Sequence, residues 1–190
     1  MTTPLFRLRT LLTRISLALG LIAATGAMAP AQGASAKEIN VRVDAALKQF
    51  QHQVNGADEF LKSAKGVLVF PGVIKAGFGI GGEYGEGALR IHGKSVGYYS
   101  IASASIGFQF GAQKKDIIMV FLQQKALDNF RHSSGWKVGV DGSVALVNVG
   151  AGTSLDSMKL DQPIVGFVVG QKGLMYNLTL EGSKITKLDK

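Results

Sequence analysis

The stretch that decides the fold is Gly77-Phe78-Gly79-Ile80-Gly81-Gly82-Glu83-Tyr84-Gly85-Glu86-Gly87. It contains the spacing Gly77-x-Gly79-x-x-Gly82, which in a dinucleotide-binding fold cradles a pyrophosphate. That use needs a helix directly after the glycines, because the helix N-terminus holds the phosphates. Here Glu83 to Gly93, "EYGEGALRIHG", follows, with three further glycines in eleven residues and no helical stripe. The acidic residue expected about 20 positions on, at the ribose, is missing, and the local sequence reads "IASAS". Nucleotide binding is therefore rejected.

A period of two explains the stretch better. Gly77, Gly79 and Gly81 alternate with Phe78 and Ile80. In a strand, alternate residues face opposite sides. One face is bulky and the other nearly bare. Residues 106–111, "IGFQFG", repeat the device. Glycine weakens a strand, so such a run marks close backbone approach, a sharp bend or a bulge. The bare strip is expected to lie against a close neighbour such as the N-terminal helix. A flat chain such as an acyl tail is the alternative occupant.

Working outward, residues 37–54 read as a helix. Ile39, Val43, Ala46, Leu47, Phe50 and Val54 share one stripe, and Lys37, Asp44 and Lys48 lie opposite. "ADEFLKSAK" reads as a second short helix with Phe60, Leu61 and Ala64 inward. From Gly66 the texture becomes β-branched and aromatic, with a turn expected at Pro71-Gly72. Short strands follow in "SVGYYSIAS", "ASIGFQFGAQ", "DIIMVFLQ", "WKVGVDGSVALVNVGAG", "QPIVGFVVG" and "GLMYNLTLEG", interrupted by one helix at "QQKALDNFRH". The pattern predicts an α+β fold, mainly an antiparallel β-sandwich or barrel-like domain with N-terminal amphipathic helices and one internal helix.

Residues 1–36 differ from the rest. Arg7, Arg9 and Arg14 precede the apolar run "ISLALGLIAATGAMA", and no acid occurs before Glu38. This is the pattern of a signal peptide, with cleavage expected after Ala36 at Ala34-Ser35-Ala36; Ala27-Met28-Ala29 also fits but is followed by Pro30. Residues 37–190 then form one domain, periplasmic or secreted, with peripheral membrane association allowed. The 190-residue chain has 21 basic and 13 acidic residues, so losing three arginines leaves 18 against 13, a formal +5. The charges are scattered, which suits an anionic surface and gives no reason to expect a nucleic-acid partner. There is no cysteine, hence no disulfide frame and no lipid-modified N-terminus.

Catalytic signals are lacking. His52, His92 and His132 are far apart, no G-x-S-x-G occurs, and Glu83 and Glu86 would face opposite sides of a strand. No metal, cofactor or enzymatic activity is expected.

Residues 64–90, "AKGVLVFPGVIKAGFGIGGEYGEGALR", resemble the SYLF domain family. The likeness runs through "GYYSIASASIGFQFGAQKKDIIMVFLQQKALDNF" to "GLMYNLTLEGSKI", nearly all of 40–187. It rests on the Val-Phe-Pro segment, the glycine strip, Gly107 with Gly111, and Gly173 with Glu181-Gly182; Tyr99-Ser100 stands where the family usually has Trp-Ser. The resemblance implies a non-enzymatic module binding phospholipid or phosphoinositide, and bacterial members are commonly exported. No family motif fixes the binding residues. Anionic headgroups require Lys or Arg beside apolar surface, which nominates Lys62 and Lys65 with Lys75, and the pair Lys114-Lys115. A structural or adhesive envelope protein using its β-surface is the competing reading. An outer-membrane barrel suits the uneven segments poorly.

Overall fold

The computed structural model describes residues 33–150, 153–155, 162–172 and 180–190, with the backbone alone for 78, 79 and 105–110. Residues 1–32 of the signal peptide expected over 1–36, and most of the strand expected at "GLMYNLTLEG", lie outside them. The described part is α+β. Three helices accompany a six-stranded, mostly antiparallel sheet curled into a half-barrel.

Helix α1 spans Ala36–Gln53, α2 Ala57–Ser63 and α3 Gln124–His132. The strands are β1 Gly66–Ile91, β2 Lys94–Phe121, β3 Trp136–Lys137, β4 Ala145–Asn148, β5 Ile164–Lys172 and β6 Lys184–Leu188. In the sheet the order is β3-β6-β2-β5-β4, with β1 also on β2. Among the strand pairs of the described residues, only β4–β5 is parallel.

The many short strands expected from Gly66 to Phe121 are in fact two long ones, of 26 and 28 residues. Glycine does not end them because the antiparallel ladder continues through most glycine positions, Gly77 pairing Gly111 and Gly85 pairing Ile101. The chain reverses at His92-Gly93, with φ of 49° and 75°. These are the left-handed conformations that a two-residue hairpin turn requires. Pro71-Gly72 is not a turn. The pair opposes the single residue Asp116, making a bulge in which the Gly72 amide donates to Asp116 Oδ1 at 2.6 Å. The long strand expected over 136–152 is likewise only two short pieces, β3 and β4. Strand β6 went unread because "KITKL" places only Ile185 in the core.

The β1–β2 ribbon doubles back on itself, and the glycines show how. A Cβ at Gly77 would lie 2.5 Å from Gly81 Cα. One at Gly85 would lie 2.7 Å from Val73 Cγ2, and one at Gly87 would meet the Val69 carbonyl. The paired positions converge on residues 78 and 79. The glycine strip is thus the inside of a corner. Its close neighbour is its own strand, not α1 as expected. Helix α1 docks instead beside Val67, Val69, Ala88 and Phe167.

Two apolar clusters result. One fills the inside of the curl with Phe70, Val73, Leu89, Ile101, Ile117 and Phe121, closed by Phe130 of α3 and by Trp136. The other lies between α1 and the outer sheet surface, through Ile39, Val43, Ala46, Phe50 and Val54. The stripe is as expected, except that Leu47 is half-buried.

Candidate functional site

A groove of about 570 Å³ opens where α1, α2 and the hairpin turn meet. Its construction follows from the helix periods. With Ile39, Val43 and Phe50 turned to the sheet, Asp44, Leu47, Lys48 and Gln51 form the next stripe round and face the groove. Helix α2 adds Asp58, Leu61 and Lys62, and the ribbon adds Val67, Arg90, His92 and Gly93. The floor is apolar through Leu47, Leu61, Ala64 and Val67.

The walls are tied by polar contacts. Arg90 Nη2 reaches Asp44 Oδ1 at 2.7 Å, and Arg90 Nη1 donates to the Gly93 carbonyl at 3.0 Å. Ser95 Oγ donates to Asn40 Oδ1 at 2.6 Å, and Asn40 Nδ2 donates to Tyr98 OH at 2.9 Å. Gln51 Nε2 donates to Asp58 Oδ1 at 2.5 Å, joining the helices. Both groove carboxylates are therefore engaged. Lys48 and Lys62 are exposed, and among the described residues neither makes a hydrogen bond or ion pair. The arrangement offers an apolar surface with a cationic rim.

The five nominated lysines do not form one surface. Lys62 lines the groove, and Lys65 is exposed beside it. Lys114 is exposed too, but lies seven strand residues along β2 from Phe121, the partner of Gly66. At ~3.3 Å per residue that is about 23 Å away. Lys75 and Lys115 are corrections, because both are buried. Beyond the Pro71-Gly72 bulge, Lys75 shares the inner face with Val73, and Lys115 shares it with Ile117 and Met119. Lys115 Nζ pairs with Glu83 Oε2 at 2.9 Å inside the curl.

Glu83 and Glu86 do face opposite ways. Glu86 sits near the last residues, where Lys190 Nζ reaches Glu86 Oε2 at 3.0 Å and also donates to the Ala34 carbonyl. Burial pushes the Glu86 carboxyl up, but hydrogen bonds from Lys190 and Tyr84 outweigh it and hold it below the usual range. Burial likewise raises the Tyr84 phenol, reinforced by its bond to Glu86. Sequence reasoning missed Arg90 and His92. A positively charged residue just before a tight hairpin turn is the signal, but it says nothing about which helix will meet the turn.

Residues 102–190 match the family model described as "Ysc84: Las17-binding protein actin regulator". Over that segment the chain is similar to the Ysc84, or SYLF, family. The matched SYLF segment begins inside β2 and takes in α3 and strands β3 to β6. It includes Lys114 and Lys115, while the groove and the glycine corner of β1 lie before it. The family is one of binding domains, so the coarse reading of this chain is a binding module. No curated protein matches the chain.

Proposed function

We propose that this SYLF chain is an exported, non-enzymatic module that binds anionic phospholipid at the bacterial envelope, with the headgroup at the rim of the helix–hairpin groove. The carrying observation is the apolar floor of Leu47, Leu61 and Val67 beneath the exposed cations Lys48 and Lys62. A lipid presents the same order, an anionic head above apolar chains. Each cation near an anionic surface contributes about 1 kcal/mol.

Vesicle flotation tests this. The mature protein should bind phosphatidylglycerol vesicles but not phosphatidylcholine vesicles, and high salt should release it. Changing Lys48, Lys62 and Lys65 together to Gln should weaken binding roughly a hundredfold if the contributions add. The folded state should persist, since exposed substitutions rarely shift stability by more than about 0.5 kcal/mol. The control changes Lys172, Lys184 and Lys187, all exposed, to Gln. Equal losses in both variants would mean that net charge, and not the groove, is responsible.

A second reading, a protein-binding β-surface, has its own observation. Ile74, Ile80 and Tyr84 on the outside of the ribbon are 55%, 72% and 54% exposed. The family description itself names a protein partner, Las17. If this face rather than the groove makes the functional contact, Ile80→Ser abolishes partner binding and leaves vesicle flotation unchanged.

Export is part of the proposal, and α1 bears on where the leader ends. Ser35 caps α1: its Oγ accepts from the Glu38 amide at 3.3 Å, and Glu38 Oε2 accepts from the Ser35 amide at 2.8 Å. Cleavage after Ala36 would remove this capping box and the Ala34 carbonyl that Lys190 holds. It would also place a charged amine at a helix N-terminus, where positive charge is unfavourable. We therefore expect processing upstream of Gly33, where Ala29-Pro30-Ala31 supplies an A-x-A pattern. The intact mass of the exported protein decides. A mature chain beginning at Lys37 refutes the point.

A further inference from the structure

The inside of the ribbon corner holds charges that the groove does not use. Lys75, Lys115 and Glu83 are only 5%, 2% and 4% exposed, respectively. They lie on the concave face just beyond Val73 and Ile117, where the two halves of the ribbon close on each other. Lys115 Nζ meets Glu83 Oε2 at 2.9 Å, but the contact is not a well-directed hydrogen bond, and Glu83 Oε1 has no partner. No hydrogen bond or ion pair among the described residues reaches Lys75. In the ladder Lys75 stands opposite Gln113 and Lys115 opposite Val73, which makes the lysines diagonal neighbours on one face. Such neighbours are about 7–8 Å apart. Flexible ammonium groups at that spacing can both reach one phosphate at ~2.8 Å.

We propose that Lys75 and Lys115, set against Glu83, form an internal binding position for a single phosphate group carrying one negative charge. Charge balance in a nearly closed place decides the ligand, since Lys115 Nζ and Glu83 Oε1 are buried without a hydrogen-bond partner. Among the described residues two formal cations face one carboxylate, leaving an excess of one. An uncompensated charge in a protein interior is strongly unfavourable, and such charges are normally paired. A cluster built only for stability would carry equal numbers. A singly charged phosphodiester, the linkage in a phospholipid, completes the balance, and so does the monoanion of free phosphate. The position is independent of the groove, which uses Lys48, Lys62 and Arg90 at the other end of the ribbon.

The test is thermal melting of the mature chain with inorganic phosphate, with dihexanoyl phosphatidylglycerol below its micelle concentration, and with chloride at matched ionic strength. A saturable rise in melting temperature is expected with phosphate chemistry and not with chloride. A rise with both probes assigns the site to phosphate from either source, and a rise with the lipid alone assigns it to the headgroup. Lys75→Gln should weaken the response at least tenfold without lowering the melting temperature of the unliganded protein, because it removes the excess charge. Glu83→Gln should do the reverse, lowering the unliganded melting temperature and tightening phosphate binding. If Lys75→Gln does not fold, Lys75→Met, of similar length, serves in its place. The phosphorus-31 line width of added phosphate reports binding to the unaltered chain. Absence of a saturable response to either probe, or a response that survives loss of Lys75, overturns the proposal.

Discussion

Gly87→Ala should leave no cooperatively folded protein. A Cβ at residue 87 would overlap the Val69 carbonyl oxygen far inside van der Waals contact and stand 2.8 Å from Phe70 Cδ1. Neither side can give way easily. Gly87 is paired with Tyr99, and Val69 with Ile118, so both backbones are fixed in the same ladder. Ordinary overpacking costs about 1–3 kcal/mol, because side chains move aside. Here the obstacle is backbone, and separating it means opening the curl that encloses Phe70, Leu89 and Ile117. Domain stability is only about 5–15 kcal/mol in total. The measurement is a circular-dichroism melt with soluble yield. Gly82→Ala is the control, since its nearest atom, the Ser103 carbonyl oxygen, is 3.9 Å away. A Gly87→Ala protein that melts within a few degrees of wild type would show that the ribbon does not fold back as described.

Alternation at Gly77, Gly79 and Gly81 disclosed a strand with one bare face, because the two-residue period is a local property. What the bare face approaches is not local. Helix α1 was the expected neighbour, and the strand itself is the actual one. The same blindness misplaced Lys75 and Lys115. Lys115 has the parity of Ile117, Met119 and Phe121, so its face was legible. That this face stays closed so far along β2 depends on the distant half of the ribbon, with Gly85 against Val73. Strand lengths failed for another reason. Glycine reads locally as a strand end, yet a paired antiparallel ribbon passes through it. The helices fared best, since Ile39, Val43, Ala46 and Phe50 form a stripe in any context. Of the groove, Lys62 alone was nominated, because Arg90 and His92 reach it only through tertiary packing.

Phe50→Ala is the second large effect. Phe50 is completely buried, and its ring lies 4.8 Å from that of Phe167 on β5. Phe167 is also met edge-on by Phe60 of α2 at 5.8 Å. One side chain thus joins α1 to the sheet at the point where α2 also lands. Truncating a buried Phe costs about 3–5 kcal/mol. At ~2–4 °C per kcal/mol for a domain of this size, the melting temperature should fall by about 6–20 °C. Leu47→Ala should cost less, since Leu47 is half-buried and turned toward the groove. The loss should also be uneven. Amides of α1 should exchange faster than those of β2, because the helix is held by one face and by the Asn40 and Arg90 contacts at its other end. Leu47 and Lys48 belong to the same helix, so vesicle binding should weaken along with the docking. Unchanged melting with unchanged exchange would mean that α1 is not seated on the sheet through Phe50. The groove, whose wall that seating positions, would then lose its structural basis.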